Sequence, residues 1–389
     1  MKNKIGSPVY GNNFLFREKL LRMGLRLMQN GNSFLMLGIR RTGKSSYLKQ
    51  VAYLIRVDNP SRQTIEIDCS TYQSVLDFYK GLYSAMPKPM RVRFKKMLEG
   101  SKMLPKKVID FITDIVGSVG FGETKIDFKD KMMAYNQAFE DLVKDFFQSE
   151  KNGQVFLFID ELPFFFENIS KDDEGKTKEI QMLLTNLRNW RDAGIPIGIT
   201  GSLNLHQQLE YLGLSRKLLA GLNTITLDTF TRAESEALFT RLLANKHCDW
   251  WTEEITHKLL DLLPDYIPYF LQYAFNTIIV NECKTANEVE EVYNNDIIPG
   301  LIKDFMYQFE ERLKFFDHSD RAAAMILLDH IAKMGTPNLV ALQTKIGKSF
   351  DYKVLISLMD YEFITLSGQQ QYTFTLNIIK NWWKQKRNL

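Results

Sequence analysis

The sequence predicts an α/β protein. A parallel, doubly wound sheet comes first, then a run of helices, then a small C-terminal module of helices and a hairpin. Three observations carry this. Short apolar runs such as Ser33–Leu37 alternate with segments of helical period. Val155–Ile159 (VFLFI) is apolar at every position, as a strand covered on both faces of a parallel sheet must be. After Leu227 the strand signals give way to helical spacing. Strands alternating with helices imply right-handed crossovers and hence a parallel sheet.

The elements follow in chain order. Ser33–Leu37 (SFLML) is a strand, followed by a glycine-rich turn and a helical pattern from Lys44 to about Arg56. Thr64–Asp68 (TIEID) alternates apolar and polar residues with β-branched content, a second strand. Residues 84–130 hold Pro87, Pro89, Pro105 and the glycines 117, 120 and 122, and read as an irregular insertion at the sheet's edge. Lys131–Gln148 places Tyr135, Phe139, Leu142 and Phe146 at helix spacing. The turn Asn152-Gly153 leads into Val155–Ile159. Lys171–Glu179 (KDDEGKTKE) reads as a charged, solvated loop before a helix over Ile180–Trp190. Pro196–Thr200 and Thr224–Leu227 complete the strands. Helices are expected over Arg232–Leu243, Glu253–Leu263, Ile267–Asn281 and Glu288–Phe315. Near Asp320 the pattern changes to helices at 321–334, 338–347 and 351–360 and strands Ile364–Leu366 and Gln371–Phe374, the plan of a winged helix. The expected domains are 1–228 with the insertion at 84–130, a helical lid at 229–315 and a winged helix at 316–389.

The chain has 389 residues, 45% apolar and 25% charged, which excludes collagen, coiled coil and a disordered chain. The longest apolar stretch, Val155–Phe166, is interrupted by Asp160 and Glu161 and is too short to cross a bilayer. Met1–Asn13 has two lysines and no apolar run, so no secretory signal is expected. Cys69, Cys248 and Cys283 are odd in number and far apart, which points to free thiols and a cytoplasmic setting. The five histidines show no zinc spacing. Net charge is +4; Asp320–Leu389 holds nine Lys/Arg against five Asp/Glu, the whole of that excess. A basic C-terminal module suits a polyanionic partner.

Gly38-Ile39-Arg40-Arg41-Thr42-Gly43-Lys44-Ser45 is a complete G-x-x-x-x-G-K-[ST] loop between a predicted strand and a predicted helix. Glycines let backbone N–H groups curl around phosphate oxygens, and the helix that follows aims its positive end at them. Lys44 is expected on the β/γ-phosphates and Ser45 on Mg²⁺, with Ser46 beside them. At the end of VFLFI, Asp160 is the second metal residue and Glu161 the group that polarises the attacking water. The substrate these motifs imply is ATP, and no N-K-x-D guanine-reading sequence is present. At Ile199-Thr200-Gly201-Ser202 a hydroxyl is offered to the γ-phosphate or the water, from Thr200 or from Ser202. Arg40 and Arg41 can serve phosphate or a neighbouring subunit.

These residues together resemble an AAA+ P-loop ATPase of the archaeal-type family, close to STAND ATPases and origin-recognition initiators. Phe16-Arg17-Glu18 is similar to that family's F-x-x-R-E segment. The loop is close to its G-P-R-R-x-G-K-[ST], with Ile39 for proline, and Ile199–Ser202 is similar to its T-G-S strand end. Tyr372–Trp383 looks like the end of its winged helix. The resemblance implies an AAA+-like sheet, a lid, Mg²⁺-dependent ATP hydrolysis and assembly with a protein partner or with further copies. Two departures bear on rate. Where the family often has a Gly-Arg pair before the last strand this chain has Gly221-Leu222, leaving Arg216 or Arg232 as the arginine finger or as surface residues. Where the STAND lid has a G-x-P turn whose proline packs by adenine, this chain has Tyr266-Ile267-Pro268; Pro268 either packs there or only starts its helix. Weak activating elements imply slow hydrolysis, suited to a switch.

Two outputs follow. One is a nucleotide-controlled switch on double-stranded DNA, reached through the winged helix. The other is a signalling or scaffold ATPase that oligomerises with ATP and binds protein. Trp382-Trp383 among Lys380, Lys384, Lys386 and Arg387 is either a nucleic-acid contact or an anchor for the last helix. Phe164-Phe165-Phe166 is either a partner surface or the buried start of a helix.

Overall fold

Five parallel strands form the predicted sheet: β1 (Phe34–Leu37), β2 (Gln63–Asp68), β3 (Val155–Asp160), β4 (Ile197–Gly201) and β5 (Asn223–Thr226), in the order β2-β3-β4-β1-β5. The computed structural model describes residues 4–101, 106, 109, 140–149, 155–169, 174–201, 205, 209, 212–244, 246, 248–314 and 316–389. The start of the predicted Lys131–Gln148 helix, the Asn152-Gly153 turn, the glycines 117–122 and Ser202 lie outside these residues; 140–149 is helical.

The all-apolar β3 has a simple cause. Alternate residues Phe156 and Phe158 lie on the opposite face from Val155, Leu157 and Ile159, and all five are buried. Leu35, Ile65, Ile67, Ile197 and Ile199 share the second face and pack with Phe78, Phe94, Phe146 and Trp190 in one core. Each such large side chain removed from water stabilises the fold by about 1.5–3 kcal/mol.

The helices of this half are α1 (Glu18–Gln29), α2 (Lys44–Asp58), α3 (Val75–Ala85), α4 (Lys88–Glu99), α5 (Leu162–Ile169) and α6 (Glu174–Asp192). Two differ from expectation, and a third resolves an alternative. Residues 88–99 are a regular helix rather than irregular chain, because Pro87 is the N-cap and Pro89 sits in the first turn, where no intrahelical N–H is needed. Of the predicted Lys171–Glu179 loop, residues 171–173 lie outside the described residues and 174–179 form the first turns of a helix anchored by Ile180, Leu183, Leu184 and Leu187. Phe165 and Phe166 are buried on α5 and Phe164 is half-buried, so of the two readings of the phenylalanine run it is the buried start of a helix.

The chain divides into two compact units, one of residues 9–37 and 44–226, the other of residues 1–8, 38–43 and 227–389. In the second are α7 (Arg232–Leu243), α8 (Glu253–Leu262), α9 (Pro268–Val280), α10 (Ala286–Val292) and α11 (Ile298–Lys314). A π-turn over Tyr293–Ile297 joins the last two, so the expected long helix exists with a bulge at its start. Then come α12 (His318–Met334), α13 (Leu339–Ile346), α14 (Tyr352–Asp360), the antiparallel pair β6 (Ile364–Leu366) and β7 (Tyr372–Phe374), and α15 (Asn377–Arg387). Within this unit Asp265, just before the turn that starts α9, accepts bonds from the Asn377 and Ile378 amides at 3.0 and 2.8 Å. Burial lifts its carboxyl above the usual range, and the amide bonds pull it partly back. Trp382 and Trp383 are buried, and the Trp383 Nε1–H donates to Asp329 at 2.9 Å, so the pair anchors α15. Among the described residues no helix is long and apolar enough to cross a membrane.

Candidate functional site

The site lies where the C-terminal strand ends gather. Parallel register pairs Leu37 with Gly201 and Ile159 with Ile199, which brings Asp160 beside Thr200; Asp68 on β2 pairs with Asp160. Open α/β sheets bind ligands at such ends.

Asp160 is the centre of this cluster, 8% exposed. The Thr200 hydroxyl, fully buried, donates to Asp160 Oδ1 and accepts the Glu161 backbone N–H at 3.1 Å. The Ser45 hydroxyl also hydrogen-bonds the carboxylate, and Lys44 contributes a nearby positive charge. Burial pushes the Asp160 carboxyl up, while Thr200 and Ser45 pull it down; Asp68 pushes it further up and Lys44 opposes that. Asp68, which closes the alternating strand β2 rather than an all-apolar one, is not among the site residues expected from the sequence.

Thr200 closes the cluster. Its hydroxyl, which the sequence offers to phosphate or water, donates to Asp160 and accepts from Glu161. It holds the acidic pair in place. Glu161 is half-buried with φ of 56°, a left-handed conformation that carries the chain from β3 into α5. Replacing Thr200 by valine is expected to cost about 1–3 kcal/mol, because a buried carboxylate loses a donor. A denaturant titration checks this, and a midpoint equal to that of the unsubstituted protein would refute it.

The loop 38–43 belongs to the other unit and has its own order. The Thr42 hydroxyl donates to the Ile39 carbonyl at 2.8 Å. Gly43 has φ of 101°, which an L side chain adopts only under strain. A Cβ on Gly38 would stand 3.1 Å from the Leu227 carbonyl oxygen, too close for ease. The Arg41 guanidinium lies over the Tyr269 ring at 4.3 Å, one residue past Pro268. Arg40 is half-buried in the same turn. Sequence reasoning misses Tyr269 because an aromatic on a helix reads as core.

The remaining residues fall as follows. The Ser46 hydroxyl, expected near phosphate, accepts the Val9 N–H at 3.0 Å and so pins the N-terminal segment to α2. Pro268 is the first residue of α9 and half-buried. Arg216 is exposed on a short 3₁₀ turn before β5. Arg232 pairs with Asp261 at 2.5 Å and Glu236 at 3.2 Å within its own unit. Among the described residues no group of three or more His, Cys, Asp or Glu is placed to hold a metal ion.

No protein-family model matches the sequence, and no curated protein does. Solved structures do. A Walker-type ATPase of Pyrococcus abyssi superposes with a TM-score of 0.66 at 18% identity, covering 99% of this chain and 100% of that one. The ORC2 protein of Aeropyrum pernix, in complexes with ADPNP and ADP, gives a TM-score of 0.56 at 11% identity, covering 98% and 97%. At these identities the likeness is one of fold: the chain has the P-loop AAA+ fold of these archaeal structures, consistent with the archaeal-type ATPase family that its motifs resemble.

Proposed function

We propose that this chain is an ATP-binding and ATP-hydrolysing switch. One observation carries the reading: a buried carboxylate, Asp160, is held by the Ser45 and Thr200 hydroxyls beside Lys44, with Glu161 the next residue. Burial and Asp68 both raise the cost of charge on this carboxylate, a cost that a cation offsets. Ser45 and Asp160 supply the hard oxygen donors that Mg²⁺ takes. When bound, Mg²⁺ neutralises charge on the β/γ-phosphates. The chain's own residues do the rest. The glycine-rich loop 38–43 presents backbone N–H groups to phosphate, and Lys44 adds a point charge. Glu161 orients the attacking water and accepts its proton, its backbone fixed through Thr200. Pro268 is assigned to the base. Arg216, on the turn before β5, is assigned as the activating arginine.

Lys44→Ala is the test. Loss of a charge-assisted contact is expected to weaken ATP binding by about 10–100-fold. A variant that binds and hydrolyses ATP as before would overturn the reading.

In this proposal nucleotide state sets the position of the lid (229–315) and the winged helix (316–389) relative to the ATPase domain (1–228). A protein partner or further copies of the chain are the favoured output of the C-terminal module. Three of its nine cations are used internally: Lys386 on Glu310, Arg387 on Asp329, and Arg321 on the carbonyls of Leu313, Lys314 and Phe316. Reading of duplex DNA by α13, α14 and the turn between them would rest on Lys345, Lys348 and Lys353 alone, and Lys353 already stands 3.9 Å from Asp320.

A further inference from the structure

The most basic segment of the chain is elsewhere. Between Lys80 and Lys107 there are nine Lys/Arg and one acid, Glu99. That excess is twice the net charge of the whole protein, and it disappears in the chain average because acids elsewhere cancel it.

Most of these cations lie on or beside α4. The helix buries Met90, Phe94 and Leu98, spaced by four, in the core that backs the sheet. At about 100° per residue this fixes the outward face, which holds Lys88, Lys95 and Lys96, with Glu99 at its C-terminal end. Arg91 and Arg93 lie at its two borders. Lys88, Arg93, Lys95 and Lys96 are exposed, and Lys106 beyond the helix is exposed as well. Lys95 stands 3.8 Å from Glu99, an open surface pair that neutralises little.

Helix stability does not explain this arrangement. Cations help a helix near its C-terminus, as Lys95 and Lys96 do, but they oppose the macrodipole near the N-terminus, where Lys88 and Arg91 sit. A merely solvated face would mix both signs. A membrane surface also fits poorly. An interfacial helix needs a free apolar face, and here the apolar face is spent on the core, leaving only Val92 outside. No aromatic residue stands on the outer face for bases to stack on. What remains is a rod about 18 Å long, the length of about five phosphates along one strand, on which five cations stand against the single acid Glu99.

We propose that α4 is a docking surface for the phosphate backbone of a nucleic-acid duplex, bound without base specificity. This surface is distinct from the C-terminal module, and its occupancy requires no ATP hydrolysis.

The test is fluorescence anisotropy with two labelled DNA duplexes of unrelated sequence at about 50 and 200 mM salt, without nucleotide. The variant is Lys88→Glu/Lys95→Glu/Lys96→Glu, three exposed positions outside the nucleotide site whose replacement leaves the buried face intact. Both duplexes should bind the unsubstituted protein alike. The variant should lose at least about 10-fold at low salt, and its log–log salt slope should be shallower by about 3. Lys380→Glu/Lys384→Glu on α15 should leave binding unchanged. ATP hydrolysis by the α4 variant should equal that of the unsubstituted protein, so this inference and the proposed ATPase stand or fall separately. Absence of duplex binding, an α4 variant that binds as tightly as before, loss confined to the α15 variant, or capture only by phosphatidylserine vesicles would each overturn the assignment.

Discussion

Glu161→Gln should reduce steady-state ATP hydrolysis by about 10²–10⁴-fold while leaving ATP bound. The substitution keeps the side chain's shape and removes only its ability to accept a proton. The backbone of residue 161 should not move, because its N–H is held by Thr200 and its left-handed φ is set by the passage from β3 into α5. Mg²⁺ affinity should also be retained, since Ser45 and Asp160 are untouched. Single-turnover hydrolysis and a nucleotide-binding titration together check this. Hydrolysis within about 10-fold of the unsubstituted protein would remove Glu161 from the chemistry. Loss of nucleotide binding would assign it a structural role instead.

The same residues show what the sequence made legible. A strand buried on both faces must be apolar throughout, so β3 was readable, and so were the two acids that end it. The loop 38–45 was readable because strand, glycines, lysine and helix stand in a fixed order. Thr200 was readable as a polar residue at a strand end, but not its direction. That depends on the register that puts β4 beside β3, a pairing of residues about forty apart in the chain. Asp68 was hidden for the same reason. Across 84–99 the prolines pointed the wrong way: Pro87 and Pro89 read as breakers, whereas at the first turn of α4 they start a helix. With the helix went its basic face, since charge on an irregular segment has no side. Composition hid it too, because an average over the chain cancels local excess.

Arg312→Met should have the largest effect on stability. Arg312 on α11 donates to Glu362 Oε2 and to the Tyr361 carbonyl, both at 2.9 Å, and its guanidinium lies 4.8 Å from the Phe309 ring centre. Glu362 is 1% exposed and has φ of 64°, between α14 and β6. The pair therefore ties the last long helix of the lid region to the corner where the C-terminal hairpin begins. Methionine fills much of the arginine's volume but leaves a carboxylate buried without its partner, at a cost of about 3–5 kcal/mol. For a unit of this size that corresponds to a melting temperature lower by about 6–20 °C. Hydrogen exchange should rise first in α11 and in 361–366, where the lost bonds were. The double variant Arg312→Met/Glu362→Gln separates an orphaned charge from lost packing. If the charge is the cause, the double variant regains a large part of the loss, because a neutral amide costs less to bury than a carboxylate. If it melts as low as the single variant, the pair's contribution is shape and the electrostatic argument fails. A single variant as stable as the unsubstituted protein would show that water reaches Glu362 and that this corner is not the dry joint its burial describes.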